Sequence, residues 1–447
     1  MALTGLDIYK LLPKTNCKKC GFPTCLAFAM GLVGKKTSLD KCPDITEQAK
    51  EALASASEPP IRTIVIGAGE NKIEIGGETV LFRHEKTFFH PCGLGILISD
   101  QISAGELSDK INKFNNLKFE RVGQKVKSEF IAIKNDSEDK IKFANVVNEV
   151  KTKSEALLIL LSDNISNLKE ALKKAGDVRP VIGPATASNQ EAITALAKTH
   201  NAVLLVSGKG LEEINTITHK IAASGYKEIV IDLSNSKETQ ALDNLTQVRR
   251  LALKKSLRSL GYPTLLFSSG KNNYEHISYA SMAIAKYGSI VILPEPDATV
   301  FLPLVTLRQN IYTDPQKPVT VEPKLYAIGG TPNDKSPLIV TTNFSLTYFT
   351  VEPEILNAKM PTWLLIVDTD GLSVLTAWAA EKFHAEKVLD AMKKTNVENT
   401  VSHRKIIIPG YVSVMSGKLA EVSGWEVLIG PREASGIPKY LRSTWQG

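Results

Sequence analysis

Four of the five cysteines lie in one short window near the N-terminus. Their spacing is Cys17-x2-Cys20-x4-Cys25-x16-Cys42. Thiolates are soft metal ligands, and short loops let three of them converge while a predicted helix, Leu26 to Val33, returns the chain with the fourth. The pattern predicts a [4Fe-4S] cluster held by these four thiolates.

Zinc is the alternative occupant of the same four thiolates. Structural zinc sites prefer two separated pairs of cysteines, whereas here three cysteines are bunched and one stands alone, which favours iron. Lys18 and Lys19, between the first two ligands, either favour the reduced cluster electrostatically or are ordinary solvated lysines. Cys92, alone between apolar residues, is predicted to be a buried core thiol.

The composition is that of a globular protein with large cores. Hydrophobic residues make up 43% and charged residues 23% of the 447 residues, a length that predicts two or three domains, of which we expect three. No signal peptide or membrane span is recognised, so a cytoplasmic protein is expected. The charge of +7 is interpreted as spread over helices that interleave Lys and Glu, so nucleic acid is not expected as a partner. No membrane is expected as a partner either.

The first two predicted domains meet at a proline pair. A cluster domain covers residues 1–57 and includes a short helix from Thr46 to Ala56; Pro59 and Pro60 then mark the boundary. Residues 58–325 alternate apolar strands with helix-length segments. The eight strands are predicted at 96–99, 130–133, 156–162, 180–183, 202–207, 228–234, 264–269 and 289–296.

Eight buried strands, each followed by a helix such as 212–223, are typical of a parallel (β/α)8 TIM barrel. A hairpin formed by residues 61–69 and 78–82 is expected to close its bottom. A doubly wound sheet is the competing interpretation, because strand order is invisible in sequence.

The third domain, residues 326–447, follows a Pro- and Gly-rich stretch, 313–337, that is predicted to be a linker. A compact doubly wound α/β sheet is expected there. Its strands are predicted at 337–342, 363–370, 405–410 and 425–431, and its helices near 373–383, 386–394 and 414–423.

The run DIYKLLPKTNCKKCGFPTCLAFAMGL resembles the N-terminus of the large (gamma) subunits of the corrinoid iron-sulfur protein family. That family belongs to the acetyl-CoA decarbonylase/synthase system of the reductive acetyl-CoA (Wood-Ljungdahl) pathway of carbon fixation. The resemblance covers the whole chain, because the family also has a cluster domain, a TIM barrel and a C-terminal corrinoid-binding domain. It therefore implies two cofactors, a [4Fe-4S] cluster and a cobamide, a vitamin B12-type corrinoid (cobalamin type).

The resemblance implies a methyl carrier. Cobalt would cycle between Co(I) and methyl-Co(III), taking methyl from methyltetrahydrofolate through a separate methyltransferase and delivering it to acetyl-CoA synthase. The cluster would reductively reactivate Co(II). A small (delta/beta) corrinoid protein subunit, itself a barrel, is implied as the heterodimer partner.

The corrinoid contacts are expected on loops that leave the C-terminal strands, because ligands of open α/β sheets bind beyond the carboxyl ends of the strands. Asp370 and Gly371, ahead of a helix, are expected to offer free backbone N–H groups. The candidates are Thr341, Thr342, Asn343, Ser345, Leu346, Thr347, Asp370, Gly371, Leu372, Ser373, Val374, Pro409, Gly410, Tyr411, Gly430, Pro431, Arg432, Glu433 and Ala434. Plain turn chemistry would explain the same residue types.

A base-off corrinoid without a histidine ligand is predicted, with Thr or Ser side chains and water near cobalt. The Asp-x-His-x-x-Gly motif of other cobalamin proteins is absent, and the domain has only His384, expected late in a helix, and His403, expected before a strand. Both are expected at the surface and away from the rim.

Two other functions stay open. One is a cluster-only electron-transfer or scaffold subunit; the other is a barrel enzyme that itself takes methyl from a pterin. No catalytic residue is predicted: Asp163, Asp232 and Glu295 follow barrel strands but are interpreted as helix caps and surface groups. Hinges for domain motion are expected at Pro59-Pro60 and at 313–337.

Overall fold

The computed structural model describes residues 5–33, 37–46, 59–234, 237–314 and 317–445. The chain forms two compact units, residues 1–118 with 127–312 and residues 119–126 with 313–447. Nearly all of the short helix predicted from Thr46 to Ala56 lies outside the described residues. Within the part that is described, no helix has the length and apolar character needed to span a membrane.

Two short helices, α1 (Gly5–Leu11) and α2 (Cys25–Val33), form the N-terminal segment of the first unit. They cross closely, because a Cβ on Gly5 would lie 2.2 Å from the sulfur of Met30. Ile8 of α1 and Phe28 of α2 share an apolar cluster with Cys25 and Cys42. The predicted helix after the third cysteine is confirmed.

An antiparallel hairpin precedes the barrel: β1 (Ile64–Ala68) pairs with β2 (Asn71–Ile75). Ile64, Ile66 and Ile75 pack among inward-facing side chains of the barrel strands, so the hairpin plugs the barrel. The prediction of its second strand at 78–82 was wrong, because the chain turns back at once after Ala68.

The barrel is closed and parallel, in the order β10-β11-β12-β3-β6-β7-β8-β9. The eight strands predicted from the sequence are confirmed. Continuous apolar runs form them because a parallel sheet is buried on both faces. The strands are β3 (Gly93–Ser99), β6 (Phe130–Lys134), β7 (Leu157–Leu161), β8 (Val181–Ala185), β9 (Val203–Val206), β10 (Ile229–Asp232), β11 (Thr264–Phe267) and β12 (Ile290–Leu293).

An outer layer of helices surrounds these strands. A capping box at Ser103 and Glu106 starts the first helix, and Asp139 and Asn164 cap the next two. The helices are α3 (Ala104–Asn115), α4 (Lys140–Lys153), α5 (Ile165–Ala175), α6 (Gln190–His200), α7 (Leu211–Ala223), α8 (Glu238–Lys254), α9 (Asn273–Ala285) and α10 (Ala298–Tyr312).

A buried ion pair ties the last barrel helix to the amino ends of the strands. Arg308 of α10 donates from Nη1 to both carboxylate oxygens of Glu129, at 2.9 and 2.8 Å, and to the carbonyl of Cys92 at 3.0 Å. Its Nη2 donates to the carbonyl of Lys127 at 3.0 Å. Glu129 in turn accepts from the backbone N–H of Leu94, so the pair links β3, β6 and α10.

The second unit contains a five-stranded sheet in the order β13-β15-β14-β16-β17. The edge strand β13 is antiparallel and the others are parallel. The strands are β13 (Leu325–Ile328), β14 (Leu338–Thr342), β15 (Thr362–Val367), β16 (Lys405–Ile408) and β17 (Glu426–Ile429). A hairpin, β4 (Lys118–Arg121) with β5 (Gln124–Lys127), also places residues 119–126 in this unit.

Helices cover both faces of this sheet. On one face α11 (Ser345–Ala358) and α15 (Ile437–Thr444) pack in a cluster with Ile339 and Ile407. On the other face lie α12 (Val374–Ala379), α13 (Ala385–Lys394) and α14 (Ser416–Ser423). The architecture is therefore doubly wound, as predicted.

Two expectations about the connections are corrected. The stretch 313–337, predicted to be a linker, contains β13, which completes the sheet by pairing with β15. The proline pair is not free to act as a hinge: Arg258 donates to the carbonyl of Pro59 at 2.8 Å, and a Cβ on Gly261 would lie 2.4 Å from the carbonyl oxygen of Pro60.

Candidate functional site

The four N-terminal thiols are near neighbours. Cys25 and Cys42 are buried, and Cys17 and Cys20 are partly exposed. Burial raises the pKa of the Cys42 thiol, a backbone hydrogen bond at Asp44 opposes this, and the charges of the other three thiols raise the pKa further. Among the described residues, no three Cys, His, Asp or Glu side chains are already spaced to hold a metal ion, so the thiols do not form a closed ligand set.

The loop that carries the first two cysteines has an unusual backbone. Lys14, Asn16 and Lys18 have positive φ angles of 60°, 48° and 60°, and Gly21 has 82°. Such angles are uncommon outside glycine and concentrate at functional sites. The Asn16 side chain accepts from the backbone N–H of Cys25 at 2.8 Å, which fixes the loop against the start of α2.

The second candidate site is a cavity of about 270 Å³ at the carboxyl edge of the C-terminal sheet. The chain leaves β14 on one face and β16 on the other, so the strand order switches between them, which is where open α/β sheets bind ligands. The cavity lies on the face covered by α11 and α15. It is lined by Ile339, Val340, Thr341, Phe344, Leu346, Thr347, Thr350, Val351, Val374, Ile407, Ile408, Pro409, Tyr411, Gly430, Pro431, Arg432, Ala434, Ile437 and Tyr440.

Two glycines let the loops after β16 and β17 meet at this edge. A Cβ on Gly410 would lie 2.5 Å from the carbonyl oxygen of Gly430. The Gly410 N–H donates to the carbonyl of Pro431 at 3.1 Å. Tyr411 donates to the Glu433 carboxylate, which joins the two loops again.

The structure separates the predicted corrinoid contacts into two groups. Those that line the cavity are Thr341, Leu346, Thr347, Val374, Pro409, Tyr411, Gly430, Pro431, Arg432 and Ala434. Those that do not are Thr342, Asn343, Ser345, Asp370, Gly371, Leu372, Ser373, Gly410 and Glu433. Sequence reasoning missed the lining residues Thr350 and Val351 of α11 and Ile437 and Tyr440 of α15. The available signal for α11 was the apolar spacing of Tyr348, Val351 and Ile355.

Asn343 builds a loop rather than facing a ligand. Its Oδ1 accepts from the N–H and hydroxyl of Thr369 and from the N–H of Gly371, and its Nδ2 donates to Asp368 at 2.9 Å. The expectation of a free Gly371 N–H is therefore wrong. Lys382 donates to the Asp370 carboxylate and lowers its pKa. Asp370 does not line the cavity.

Two hydroxyls at the same edge have no hydrogen-bond partner. The side chains of Thr342 and Ser345 are 0% and 1% exposed, and neither oxygen is bonded within the protein. Because a buried hydroxyl without a partner costs free energy, these atoms are suited to hydrogen bonds from a bound group.

A rim of exposed apolar side chains surrounds the carboxyl edge. Leu346, Leu375, Tyr411 and Val414 belong to the segments that follow β14, β15 and β16, and all four are exposed. Exposed apolar side chains that share one edge of a sheet are suited to contact a ligand or a partner.

Neither histidine of the C-terminal domain lines the cavity. His403 precedes β16, donates from Nε2 to the Ser336 carbonyl at 2.9 Å, and has a pKa lowered by burial. His384 was expected late in a helix, but it is the N-cap residue of α13. Its ring contacts the Glu386 carboxylate at 2.9 Å.

The carboxylates at the barrel strand ends do not form a catalytic cluster. Asp163 is exposed, and Glu295 pairs with Lys110 at 2.6 Å. Asp232 is buried, contrary to the expectation of a surface group; burial raises its pKa, and the Ser234 N–H donates to it at 2.8 Å.

Two family models match the chain. The model described as "CO dehydrogenase/acetyl-CoA synthase delta subunit" covers residues 63–441, and the model described as "Putative Fe-S cluster" covers residues 12–43. The second match spans all four candidate ligands.

The full-length relatives identify the family of this chain more specifically than the two family models do. The corrinoid/iron-sulfur protein large subunit of Moorella thermoacetica is 48% identical over 443 residues, 99% of each chain. The acetyl-CoA decarbonylase/synthase complex subunit gamma of Methanothermobacter thermautotrophicus is 34% identical over 99% of each chain, and that of Methanocaldococcus jannaschii is 32% identical over 99% of this chain and 96% of its own. The dihydropteroate synthase of Thermus thermophilus aligns with 53% of this chain and 99% of its own at 13% identity and a TM-score of 0.38.

Proposed function

Because the chain belongs to the family of corrinoid/iron-sulfur protein large subunits and acetyl-CoA decarbonylase/synthase gamma subunits, we propose that it is a methyl-group carrier. A bound cobamide would supply a cobalt nucleophile that takes methyl from methyltetrahydrofolate through a separate methyltransferase and gives it to acetyl-CoA synthase. The observation that carries the proposal is the cavity at the carboxyl edge of the C-terminal sheet.

The cavity fits one arm of a cobamide rather than the whole molecule. Its volume of about 270 Å³ is just below the ~300 Å³ at which pockets for drug-sized ligands begin. Apolar walls from Phe344, Ile407 and Ile437 suit a flat aromatic base, so we assign the cavity to the nucleotide tail with its lower base. A base held there is withdrawn from cobalt, which gives the base-off form.

The macrocycle would then rest on the exposed rim. Leu346, Leu375, Tyr411 and Val414 offer it apolar contact. Arg432 lines the cavity and would pair with the phosphate of the tail.

Weak protein ligation suits a carrier that must become a nucleophile. Hydroxyl groups and water, rather than a histidine, would be the neighbours of cobalt. A metal without a strong nitrogen donor keeps less electron density, which makes its reduced state easier to reach.

The N-terminal thiolates would hold a [4Fe-4S] cluster that returns an electron when cobalt has been oxidised to Co(II). Three of them, Cys20, Cys25 and Cys42, lie in or against one apolar cluster. The partners we propose are a small corrinoid protein subunit as heterodimer, the methyltransferase and acetyl-CoA synthase.

Filling the cavity tests the assignment. Thr347 lines it from α11, so Thr347→Trp would occupy the space that we assign to the lower base. We expect the variant, reconstituted with the small subunit, to bind cobamide at least tenfold more weakly while its iron content stays unchanged.

The matched control is Lys387→Trp, an exposed position on α13 at the opposite face of the sheet. It should bind cobamide as the unaltered chain does. Equal binding by Thr347→Trp would contradict the cavity assignment; iron without cobalt in the unaltered chain would favour a cluster-only electron-transfer or scaffold subunit.

A further inference from the structure

A short segment ahead of β13 crosses the carboxyl edge of the C-terminal sheet. It consists of residues 318–321, which we call the strap, and it lies between the end of α10 at Tyr312 and the start of β13 at Leu325. The strap does not run freely over the surface, because its backbone is bonded to the loop that follows β14.

Two backbone hydrogen bonds fasten the strap on either side of Phe344. The Val321 N–H donates to the carbonyl of Asn343 at 2.9 Å. The Ser345 N–H donates to the carbonyl of Val319 at 3.0 Å. The residues that flank Phe344 are therefore both held by the strap.

The centre of the strap lies opposite Phe344 itself. Thr320 forms an isolated antiparallel bridge with Phe344. The Phe344 side chain lines the cavity that we assign to the lower base. The position of this aromatic wall therefore depends on backbone that the strap holds in place.

The strap also packs against the loop that follows β15. Gly371 has a φ of 74°, and a Cβ there would lie 2.7 Å from Cγ2 of Thr320 and 2.9 Å from Cβ of Pro318. The Gly371 N–H donates to Oδ1 of Asn343 at 3.0 Å. Because Asn343 bonds to the strap and to this loop, the three segments form one connected group of contacts.

Little apolar burial holds the strap closed. Pro318 and Thr320 are exposed, and Val319 is half-buried. Val321 only borders the apolar cluster beneath α11. Segments with few buried contacts open at a lower free-energy cost than the core does. Opening of the strap is therefore expected while the sheet stays folded.

We propose that bound cobamide holds the strap closed and that the strap opens when the cobamide leaves. The inference rests on the proposed function. A base packed on Phe344 favours the backbone position that the closed strap fixes, and a ligand shifts an equilibrium toward the state that it binds better. Because such coupling is reciprocal, the closed strap raises the affinity for cobamide by the same factor.

The strap also determines where the connector that follows α10 ends. When the strap is closed, the connector comprises residues 313–317; when it is open, the connector extends over residues 313–324, up to β13. Binding of the cofactor therefore shortens the connector. A chain that carries cobamide differs in this respect from an empty chain before any other protein binds.

Amide hydrogen exchange at single-residue resolution in the reconstituted heterodimer tests the coupling. Adding cobamide should slow the exchange of the Val321 and Ser345 N–H groups at least about fivefold, the lower end of typical coupling between two sites. The Ser402 N–H is the internal control, because it donates to the Asp334 carbonyl at 2.9 Å at the amino edge of the same sheet. Its exchange should not change.

Val321→Pro removes one hydrogen bond of the strap, because proline has no N–H. Cobamide affinity should fall at least about fivefold, and the Ser345 N–H should lose its cobamide-dependent protection. The matched control, Ser402→Pro, removes a backbone hydrogen bond of the same length and should leave both properties unchanged. Urea unfolding shows whether the two variants lose similar stability.

Gly371→Ala tests the strap without removing a hydrogen-bond donor, because the added Cβ collides with Thr320. Gly424→Ala is its control: Gly424 has a φ of 69°, and a Cβ there would meet no atom within 4 Å. Both variants strain the backbone at a positive φ. Only Gly371→Ala should weaken cobamide binding, by at least about fivefold.

The outcomes separate the strap from the function on which it rests. Cobamide binding that leaves the exchange of Val321 and Ser345 unchanged would overturn the strap and keep the carrier function. Cobamide affinities of Val321→Pro and Gly371→Ala equal to those of their controls would do the same. A heterodimer that takes up no cobamide would reject the carrier function, and the strap with it.

Discussion

At the residue scale, neighbours in the sequence have opposite roles at the carboxyl edge of the C-terminal sheet. Thr341 faces the cavity, whereas Thr342 buries a hydroxyl without a partner on the other face, because successive residues of a strand point to opposite sides. Asn343, next in the chain, holds the loop around Thr369 together. The sequence named all three as contacts but could not assign these roles, because they depend on side-chain direction and on loops distant in sequence.

Thr342→Val should separate cofactor binding from fold stability. It removes a hydroxyl that has no partner in the protein, so the free energy of unfolding should stay unchanged or rise slightly. If the hydroxyl bonds to the cobamide, affinity should fall by roughly tenfold, as for a lost bond of about 1.4 kcal/mol. Equilibrium titration with cobamide and urea unfolding measure the two effects.

Thr395→Val is the control, because its hydroxyl donates to the Ala391 carbonyl at 2.8 Å and lies on α13's terminus rather than at the carboxyl edge. It should leave cobamide affinity unchanged. Unaltered affinity in Thr342→Val would remove this hydroxyl from the proposed contacts.

At the element scale, the barrel was predictable and the helices that form the cavity were not. Eight apolar strands separated by amphipathic helices carry a strong periodic signal. The helix α11 carries a weak one, since it contains Pro353 and several β-branched or aromatic residues, which are poor helix formers. It forms because Tyr348, Val351 and Ile355 bury their side chains against the sheet.

The ion pair between Arg308 and Glu129 makes a stability prediction for the barrel. Arg308→Met leaves a largely buried carboxylate without its cation, which costs about 3–5 kcal/mol. The free energy of unfolding from urea denaturation should fall by that amount. The double variant Arg308→Met, Glu129→Leu should recover part of the loss because no uncompensated charge remains.

Lys110→Met is the comparison for this element. It breaks the ion pair with Glu295, whose carboxylate is largely exposed, so the expected cost is below about 1 kcal/mol. A loss in Arg308→Met as small as in Lys110→Met would show that the buried pair does not hold α10 to the strands.

At the scale of the whole molecule, the chain divides into two compact units, whereas the sequence analysis expected three domains. The barrel helix α10 ends at Tyr312, and the second unit begins at 313, earlier than the predicted boundary at 325. The difference arises because β13 joins the sheet from within a Pro- and Gly-rich stretch that looks like a linker in sequence. Residues 119–126 belong to the same unit although they lie within the barrel sequence. Nothing in their local sequence indicates this assignment.

Domain motion is expected because one cobalt must meet several partners. The anchoring of Pro59 and Pro60 to residues 258–261 removes the proline pair as a hinge. Domain motion therefore remains a part of the proposed carrier function.

The most direct test of the central claim is EPR spectroscopy with cobalt and iron analysis on the heterodimer reconstituted with cobamide. A carrier with a base-off corrinoid should contain about one cobalt and about four irons per chain and show a Co(II) signal without nitrogen hyperfine splitting from a lower ligand. Iron without cobalt, or a Co(II) signal split by a histidine nitrogen, would contradict the account.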